Sequence, residues 1–221
     1  MTAKVHQLNI ARLGNEAVDA PLSPADKAAM TTAVASKVEE LFEVLKIDYR
    51  SDHNTRDTPD RVARMLIDET LRGRYDSLPE ITEFENVALY DQLIVVGPID
   101  LRSTCAHHLM PIYGHAIIGI LPQKDGKIIG LSKYDRIVDY FASRLQIQEE
   151  LVMQIGNYIE EISKPRGLAV RISAVHMCRT HRGVRTSHEG RMVSSAFFGE
   201  LRDSPEAKGQ FLLECQGLER H

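Results

Sequence analysis

The sequence predicts an α+β fold, because helical and extended patterns occur in blocks along its 221 residues. Four stretches rich in valine and isoleucine, with partial alternation of apolar and polar residues, predict strands. Two helical patterns precede these strands, and two more lie between the second and third of them. With 43% hydrophobic residues, a chain of this length can bury the core of one domain with an appended helical segment.

The first half of the chain opens with two helices that have clear start signals. Ser23 and Pro24 provide an N-cap and a first-turn proline, an acid follows three residues after the serine, and apolar residues then recur at helical spacing. Thr58 and Pro59 open a second, shorter helix, which Gly73 is placed to end. Both helices are therefore expected to turn one apolar face towards a core.

The predicted strands follow, with a pair of helices inserted among them. The strands are residues 93–101, 115–122, 167–177 and 191–198. The first inserted helix begins at Ser132 with Asp135 as its capping acid, and the turn from Lys164 stops the second helix. Because a four-stranded antiparallel sheet with helices on one side leaves both edges uncovered, we expect such units to join edge to edge.

These patterns divide the chain into four segments. Residues 1–22 lack sustained periodicity and are expected to form a flexible arm, and residues 23–91 form a helical segment. The strands and their inserted helices define a domain over residues 92–200, and residues 201–221 are expected to be a tail. Candidate functional residues concentrate in the third segment.

Composition and charge exclude several classes of protein. The net charge of −4 and the pI of about 6.1 provide no positive field for a nucleic-acid backbone, so nucleic-acid binding is not expected. The N-terminus has no apolar stretch of signal-peptide length, and no run is long enough to span a membrane. Three cysteines are too sparse and odd a set for a disulfide framework, which favours free thiols or metal ligands in a soluble cytoplasmic protein.

Two short segments hold most of the side chains that bind metals. Cys105, His107 and His108 lie together after a predicted strand, while His176 and Cys178 have the spacing that puts two side chains on one face of a strand. Two cysteines and one histidine make a zinc site with a position left open for water, which is the catalytic arrangement. The alternative is that these are ordinary buried cysteines and satisfied histidines. The pairing of each cysteine with a nearby histidine favours the metal site.

Two polar features lie elsewhere in the domain. A basic run over residues 179–185 could hold phosphates beside the metal, with Lys133 and Arg136 near a helix start. Without a metal next to it, the same run would be a solvated turn. Gln148 and Glu149 are either ordinary residues of a helix N-terminus or a pair that recognises the N–H and carbonyl edge of a base.

Four motifs in order resemble the GTP cyclohydrolase I family. They are TPDRVARML, STCAHHLMPIYGHAIIGILP, IIGLSKYDRIVDYFASRLQIQEEL and AVHMCRTHRGVR. The resemblance spans about residues 30–200, and four motifs in the same order are far more specific than any one of them. It implies the family's reaction, in which the imidazole ring of GTP is hydrolysed to give 7,8-dihydroneopterin triphosphate and formate, the first step of tetrahydrofolate and pteridine biosynthesis.

The resemblance also implies roles at the metal. A zinc ion in each subunit would be bound by Cys105, His108 and Cys178, leaving a position for water. His176 would be the acid that protonates N7 of the purine, and His107 would assist proton movement in the later steps. Histidine suits both roles because it titrates near neutral pH.

Substrate-binding residues are implied in the same way. Glu149 with Gln148 would hold the guanine edge, since a carboxylate can accept from N1–H and the 2-amino group, donors that adenine does not offer together. The family positions that surround the triphosphate and ribose are Ser132, which we group with the catalytic residues, and Lys133, Arg136 and Arg182. Arg64 stands where a lysine of a neighbouring subunit often reaches the phosphates.

The family fold is the tunnelling fold, in which each subunit supplies a four-stranded antiparallel sheet. Five subunits close a barrel, and two rings stack as a homodecamer with sites between subunits. This assembly would cover the open sheet edges predicted above. It also implies that one chain does not supply all the residues of a site.

One position departs from the family pattern. The family usually has Cys-Glu-His-His, whereas this chain has Ala106 at the acidic position. A carboxylate there would orient an imidazole and hold its positive charge, so we expect its loss to reduce or retune the activity. Two alternatives stay open: a diverged cyclohydrolase with an altered product, and a non-catalytic relative that binds zinc and nucleotide.

Overall fold

The computed structural model describes residues 13–219, which form two compact units that divide between Ser77 and Leu78. The first twelve residues of the predicted arm lie outside the described residues. The sequence places the boundary later, between residues 91 and 92. The difference arises because Glu83–Glu85 pairs with Lys127–Ile129, a strand contact that joins this stretch to the second unit.

The first unit consists of helices, with residues 45–57 connecting the first two. They are α1 (Pro24–Val44), α2 (Thr58–Arg64), a π-helical turn (Met65–Thr70) and α3 (Arg72–Tyr75). Ser23 caps α1 as predicted, since its Oγ accepts from the backbone N–H of Asp26 at 3.1 Å. Gly73 does not end the second helix: it lies inside α3, because the chain widens into the π-helical turn and then resumes helical winding.

The described part of the predicted arm is hydrogen-bonded to the end of this unit. Arg74 donates to the carbonyl oxygen of Glu16 at 2.8 Å, and the N–H of Val18 donates to the carbonyl of Arg74 at 2.9 Å. The N–H of Leu22 donates to the carbonyl of Tyr75 at 3.0 Å. Residues 13–22 are therefore held by backbone and side-chain bonds without forming a helix or strand.

The described residues of the second unit, 78–219, contain seven strands and five helices. The strands are β1 (Glu83–Glu85), β2 (Ile94–Cys105), β3 (Pro111–Leu121), β4 (Lys127–Ile129), β5 (Leu145–Gln146), β6 (Gly167–His176) and β7 (Arg191–Phe198). The helices are α4 (Leu131–Ala142), α5 (Gln148–Ser163), α6 (Met177–Thr180), α7 (Gly199–Asp203) and α8 (Pro205–Leu218). The order confirms an α+β fold. Within the described chain, no helix combines the length and apolar character needed to cross a bilayer.

The main sheet has the strand order β5-β2-β3-β6-β7. Its four long strands pair antiparallel, as the sequence predicts. The prediction of a purely antiparallel four-stranded sheet is nevertheless wrong, because β5 adds a fifth, parallel strand beside the end of β2. A two-residue strand has too little pattern to be recognised from sequence.

Helices cover both faces of this sheet, which corrects the prediction that they lie on one side. On one face, Ile137 of α4 and Ile155 of α5 share a core with Ile172 of β6. On the opposite face, Phe211 of α8 packs so closely on β3 that a Cβ at Gly119 would lie 2.4 Å from its ring. The residues predicted as a tail therefore include a helix that seals the second core.

Candidate metal centre and active site

A tight turn after β2 brings two of the predicted metal ligands together. The N–H of Cys105 donates to the carbonyl of Met110 at 2.8 Å, and the N–H of Leu109 donates back to the carbonyl of Cys105 at 2.9 Å. Leu109 adopts a positive φ of 53°, a conformation that costs free energy for a residue with a side chain. These bonds hold His108 at the turn, three residues after the cysteine.

The third predicted ligand comes from the end of β6. Ile112 of β3 pairs with Ser103 of β2 on one side and with His176 of β6 on the other, so both strands reach the same end of the sheet. The prediction that His176 and Cys178 lie on one face of the same strand is wrong. The strand ends at His176, and Cys178 follows in the short helix α6.

The structure brings the sulfur atoms of Cys105 and Cys178 together with a ring nitrogen of His108. These three atoms all lie within 4.8 Å of one another. Cys105 is buried, Cys178 is partly buried and His108 is exposed, so the group opens to solvent on one side. Two sulfurs and one imidazole nitrogen suit zinc, and three protein ligands leave a further position for water or substrate. The residues present therefore fit the ion that the sequence predicts.

Protonation of the thiols links metal binding to pH. Burial and the neighbouring Cys105 thiol raise the pKa of Cys178, so this side chain stays a thiol in the free protein at neutral pH. A divalent metal binds the thiolate, so its binding releases the proton.

His176, two residues before Cys178 in the chain, is not one of the three members of this group. Its Nε2 is 2.7 Å from Oε1 of Gln148, the first residue of α5. Burial lowers the pKa of His176; the positive charge of Arg179 acts in the same direction, and the charge of Glu149 opposes it. His107 is exposed in the turn after β2, and its ring centroid is 6.2 Å from that of His108. Both predicted acid–base histidines thus lie within two residues of a predicted metal ligand in the chain.

Gln148 and Glu149, which the sequence treats as a pair, have different surroundings. Glu149 is exposed at the first turn of α5, where its carboxylate is open to a ligand. The Gln148 side chain is 1% exposed and bonds within the chain. Sequence reasoning did not single out Ser194, the β7 residue whose Oγ lies 3.0 Å from Nε2 of Gln148. A serine in an edge strand carries no local signal for such a contact.

The predicted phosphate-binding residues are mostly exposed. Ser132 and Arg136 are exposed on α4, and Arg182 is exposed after α6. Lys133 is partly buried, and its Nζ donates to the carbonyl oxygen of Glu80 at 3.0 Å. Arg64 is exposed on α2 of the first unit.

The start of α4 differs from the prediction. Gly130, not Ser132, is the N-cap, and no side chain caps this helix. Ser132 lies within the first turn, where its backbone is already helical and its hydroxyl is free of the capping role.

Comparison with known proteins identifies the family. The family model for GTP cyclohydrolase I matches residues 34–216. The chain belongs to the GTP cyclohydrolase I family.

Relatives named GTP cyclohydrolase 1 match the chain over most of its length. The protein of Shewanella sp. (strain W3-18-1) is 39% identical over 79% of this chain and 80% of its own. The protein of Shewanella denitrificans is 36% identical over 93% of this chain and 94% of its own. That of Enterobacter sp. (strain 638) is 35% identical over 95% of this chain and 93% of its own. The family-model match over residues 34–216 includes the turn after β2, the start of α5 and the end of β6.

Proposed function

We propose that this chain is a zinc-dependent GTP cyclohydrolase I that converts GTP to 7,8-dihydroneopterin triphosphate and formate. The observation that carries the proposal is the group formed by Cys105, His108 and Cys178, with His176 two residues before Cys178 at the end of β6. A purely structural zinc site would have four protein ligands, and a purely structural role would not require an adjacent histidine. Membership of the GTP cyclohydrolase I family supports GTP as the substrate.

The three proposed metal ligands lie at or just after the ends of two strands, which are a rigid support for a reactive centre. Cys105 ends β2, His108 lies in the turn that follows it, and Cys178 lies in α6 directly after β6. Cys105, His108 and Cys178 would hold zinc, and when bound it would lower the pKa of a water molecule to about 7 and so supply a nucleophile at neutral pH. The two backbone bonds of the turn, from Cys105 N–H to Met110 and from Leu109 N–H to Cys105, would hold the first two ligands in place before any metal binds.

The histidines of the chain would move the protons of the reaction. His176 would protonate N7 of the purine as water adds to C8, which makes the imidazole ring of GTP easier to open. His107, exposed in the turn, would assist proton transfer during ring opening and the ribose rearrangement. Both roles require a group that exchanges protons near neutral pH.

Substrate recognition would combine one carboxylate with several basic groups. Glu149 is exposed and can accept from N1–H and the 2-amino group of guanine. The groups proposed to surround the triphosphate and ribose are Ser132, Lys133, Arg136 and Arg182 of one subunit, with Arg64 of a neighbouring one. Guanidinium groups suit phosphate oxygens because they donate two parallel hydrogen bonds.

The proposed assembly is a tunnelling-fold homodecamer in the cytoplasm, with one zinc ion in each subunit. Within the described chain, β7 has no partner on its outer side, and β5 covers only Thr104 and Cys105 at the end of β2. Two open edges on one sheet support edge-to-edge pairing between subunits. Five sheets would close a barrel and two such rings would stack.

Ala106 supports a second candidate function. It occupies the position at which the family usually has an acid, and its N–H donates to the carbonyl of Gln146 at 3.1 Å. Loss of the acid is the change expected of a diverged cyclohydrolase with an altered product, or of a subunit that binds zinc and nucleotide without turnover. These candidates predict different products from GTP.

A turnover assay on zinc-loaded protein separates the three functions. Formate and oxidised neopterin are measured together, with metal-stripped protein as the control. Equal amounts of both products support the full reaction, and formate without neopterin supports a diverged cyclohydrolase. Neither product, in this protein and in an Ala106→Glu variant alike, would contradict the proposal and favour a binding role.

A further inference from the structure

The side chain of Gln148 is enclosed between α5 and the two strands beneath it. Its Nε2 lies 3.2 Å from the carbonyl oxygen of Ile172 in β6 and 3.1 Å from that of Met192 in β7. It also lies 3.0 Å from Oγ of Ser194. Carbonyl oxygens only accept hydrogen bonds, so the end of the amide that faces them is the NH₂ group. The orientation of this carboxamide is therefore fixed by its surroundings.

The opposite end of the same amide faces His176. With the NH₂ group assigned, the atom 2.7 Å from Nε2 of His176 is the carbonyl oxygen Oε1 of Gln148. That oxygen can only accept, so Nε2 of the imidazole carries a hydrogen. A neutral imidazole protonated at Nε2 has its lone pair on Nδ1. The carbonyl oxygens of Ile172 and Met192 orient the Gln148 amide, and the amide oxygen in turn determines that Nδ1 of His176 is the unprotonated nitrogen.

We propose that Gln148 is a positioning residue that fixes the ring orientation and the Nε2–H tautomer of His176, so that Nδ1 exchanges the proton with the substrate. The assignment of the substrate atom rests on the proposed function; the tautomer does not. In this proposal Gln148 does not bind guanine, because its side chain is 1% exposed and both ends of its amide are already hydrogen-bonded within the protein. Of the two residues, only Glu149 would then bind the N1–H and 2-amino group of guanine.

Close packing of α5 supports this positioning role. A Cβ at Gly156 would lie 2.4 Å from the ring of Phe198 in β7, so α5 approaches the sheet more closely than a larger residue allows. This approach places the first residue of α5 within hydrogen-bond reach of both strands. Ser194, paired with Ile172 across the sheet, provides the third contact of the amide.

Kinetics of a Gln148→Met variant test the role against guanine binding. Methionine has a similar length but cannot donate or accept in the same way, so we expect kcat to fall about 10- to 100-fold, as for other residues that orient a reactive histidine. KM for GTP should stay within about twofold. The ratio of kcat/KM for GTP to that for inosine triphosphate, which lacks the 2-amino group, should not change. Glu149→Gln is the matched control, and it should raise KM and alter that ratio.

The result that overturns the proposal is a Gln148→Met enzyme with normal kcat, a raised KM and an altered preference between GTP and inosine triphosphate. Ser194→Ala provides a second variant that keeps Gln148 itself. It removes one of the three contacts of the amide, so a smaller fall in kcat at unchanged KM is expected.

The ¹⁵N spectrum of histidine-labelled protein tests the tautomer without any turnover. The His176 signals are assigned by comparison with a His176→Gln variant, in metal-free and zinc-loaded protein. Wild-type protein should show Nε2 protonated and Nδ1 unprotonated, and Gln148→Met should show a mixture. Protonation at Nδ1 in the wild type would overturn the proposal even if a variant fails to fold. If the wild type has the expected tautomer but does not turn over GTP, the proposed function fails and the positioning role stands.

Discussion

The three cysteines lie in two regions, each of which contains a buried cysteine, and the regions differ in the side chains around those cysteines. Cys105 and Cys178 meet His108 where two strands end, and the group opens to solvent through the exposed histidine. Cys215 lies on α8, in the apolar cluster that includes Phe211 and covers the opposite face of the sheet. The first region has three side chains that could bind a metal, whereas the second is a packed core.

The comparison shows that burial by itself does not distinguish a structural cysteine from a functional one. Burial raises the pKa of Cys215 to about 11, and burial together with a neighbouring thiol raises the pKa of Cys178. Neither environment stabilises a thiolate without a metal. What separates the regions is a second sulfur and a ring nitrogen within 4.8 Å, which gives a metal three ligands at once.

The largest effect is expected when the same substitution is made in each region. Cys178→Ser should abolish stoichiometric zinc binding and lower GTP turnover by more than about 100-fold, because an alcohol is a poor zinc ligand. Cys215→Ser should keep its zinc and lose only about 1–3 kcal/mol of unfolding free energy, since a hydroxyl is then buried among apolar groups. Metal content per subunit and urea unfolding are the measurements. Loss of zinc from Cys215→Ser would contradict the assignment of metal binding to the first region alone.

Truncation of Phe211 tests whether α8 stabilises the core of the second region. Phe211→Ala should lower the free energy of unfolding by about 3–5 kcal/mol, because the fully buried ring fills the space above Gly119. Leu213, on the same helix but 67% exposed, provides the control, and Leu213→Ala should change stability by no more than about 0.5 kcal/mol. Urea unfolding of the zinc-loaded proteins measures both. Equal stabilities for the two variants would contradict the role given to α8.

Placing an acid next to His107 tests whether a carboxylate at position 106 contributes to the activity of the first region. Ala106→Glu should raise kcat by about 10-fold and shift the pH–rate profile, because a carboxylate beside the imidazoles would orient them and hold their charge. Ala106→Gln adds the same bulk without charge and should reproduce neither change. A pH–rate series on all three proteins is the measurement, and equal effects of Glu and Gln would attribute the result to size.

The smallest effect concerns the end of α8. Burial tends to raise the pKa of Glu219, but bonding to Arg171 outweighs it and the pKa is lowered overall. A carboxyl with a lowered folded-state pKa adds stability above its unfolded value of about 4.3, and this is lost as pH falls through the folded value. With a partly exposed pair, the contribution should be no more than about 1 kcal/mol.

Hydrogen exchange in the last turn of α8, measured at pH 6 and at pH 3.5, tests this contribution. Protection should fall at the lower pH, and Glu219→Gln should remove that difference while lowering protection at pH 6. Glu214→Gln, at an exposed position of the same helix, is the control and should behave like the unchanged protein. An unaltered pH response in Glu219→Gln would exclude the ion pair as its cause.

Much of the fold follows from local patterns. The cap of α1 at Ser23, the end of α5 at Lys164 and the four long strands are confirmed, because each depends on residues that are neighbours in sequence. The helix at residues 205–218 was missed, since its two glycines and scattered apolar residues give a weak amphipathic pattern. Phe211 becomes fully buried only because a glycine of β3 leaves room for its ring.

The sequence by itself determined the α+β class, the family and the residues proposed to bind a metal, since these depend on the spacing of residues and the order of motifs along the chain. Tertiary structure decided whether a polar side chain is hydrogen-bonded inside the protein or exposed to solvent. Gln148 and Glu149 are adjacent in sequence, yet helical geometry turns one into the protein and the other towards solvent. The carbonyls that orient Gln148 belong to β6 and β7, and only the pairing of those distant strands brings them to one amide.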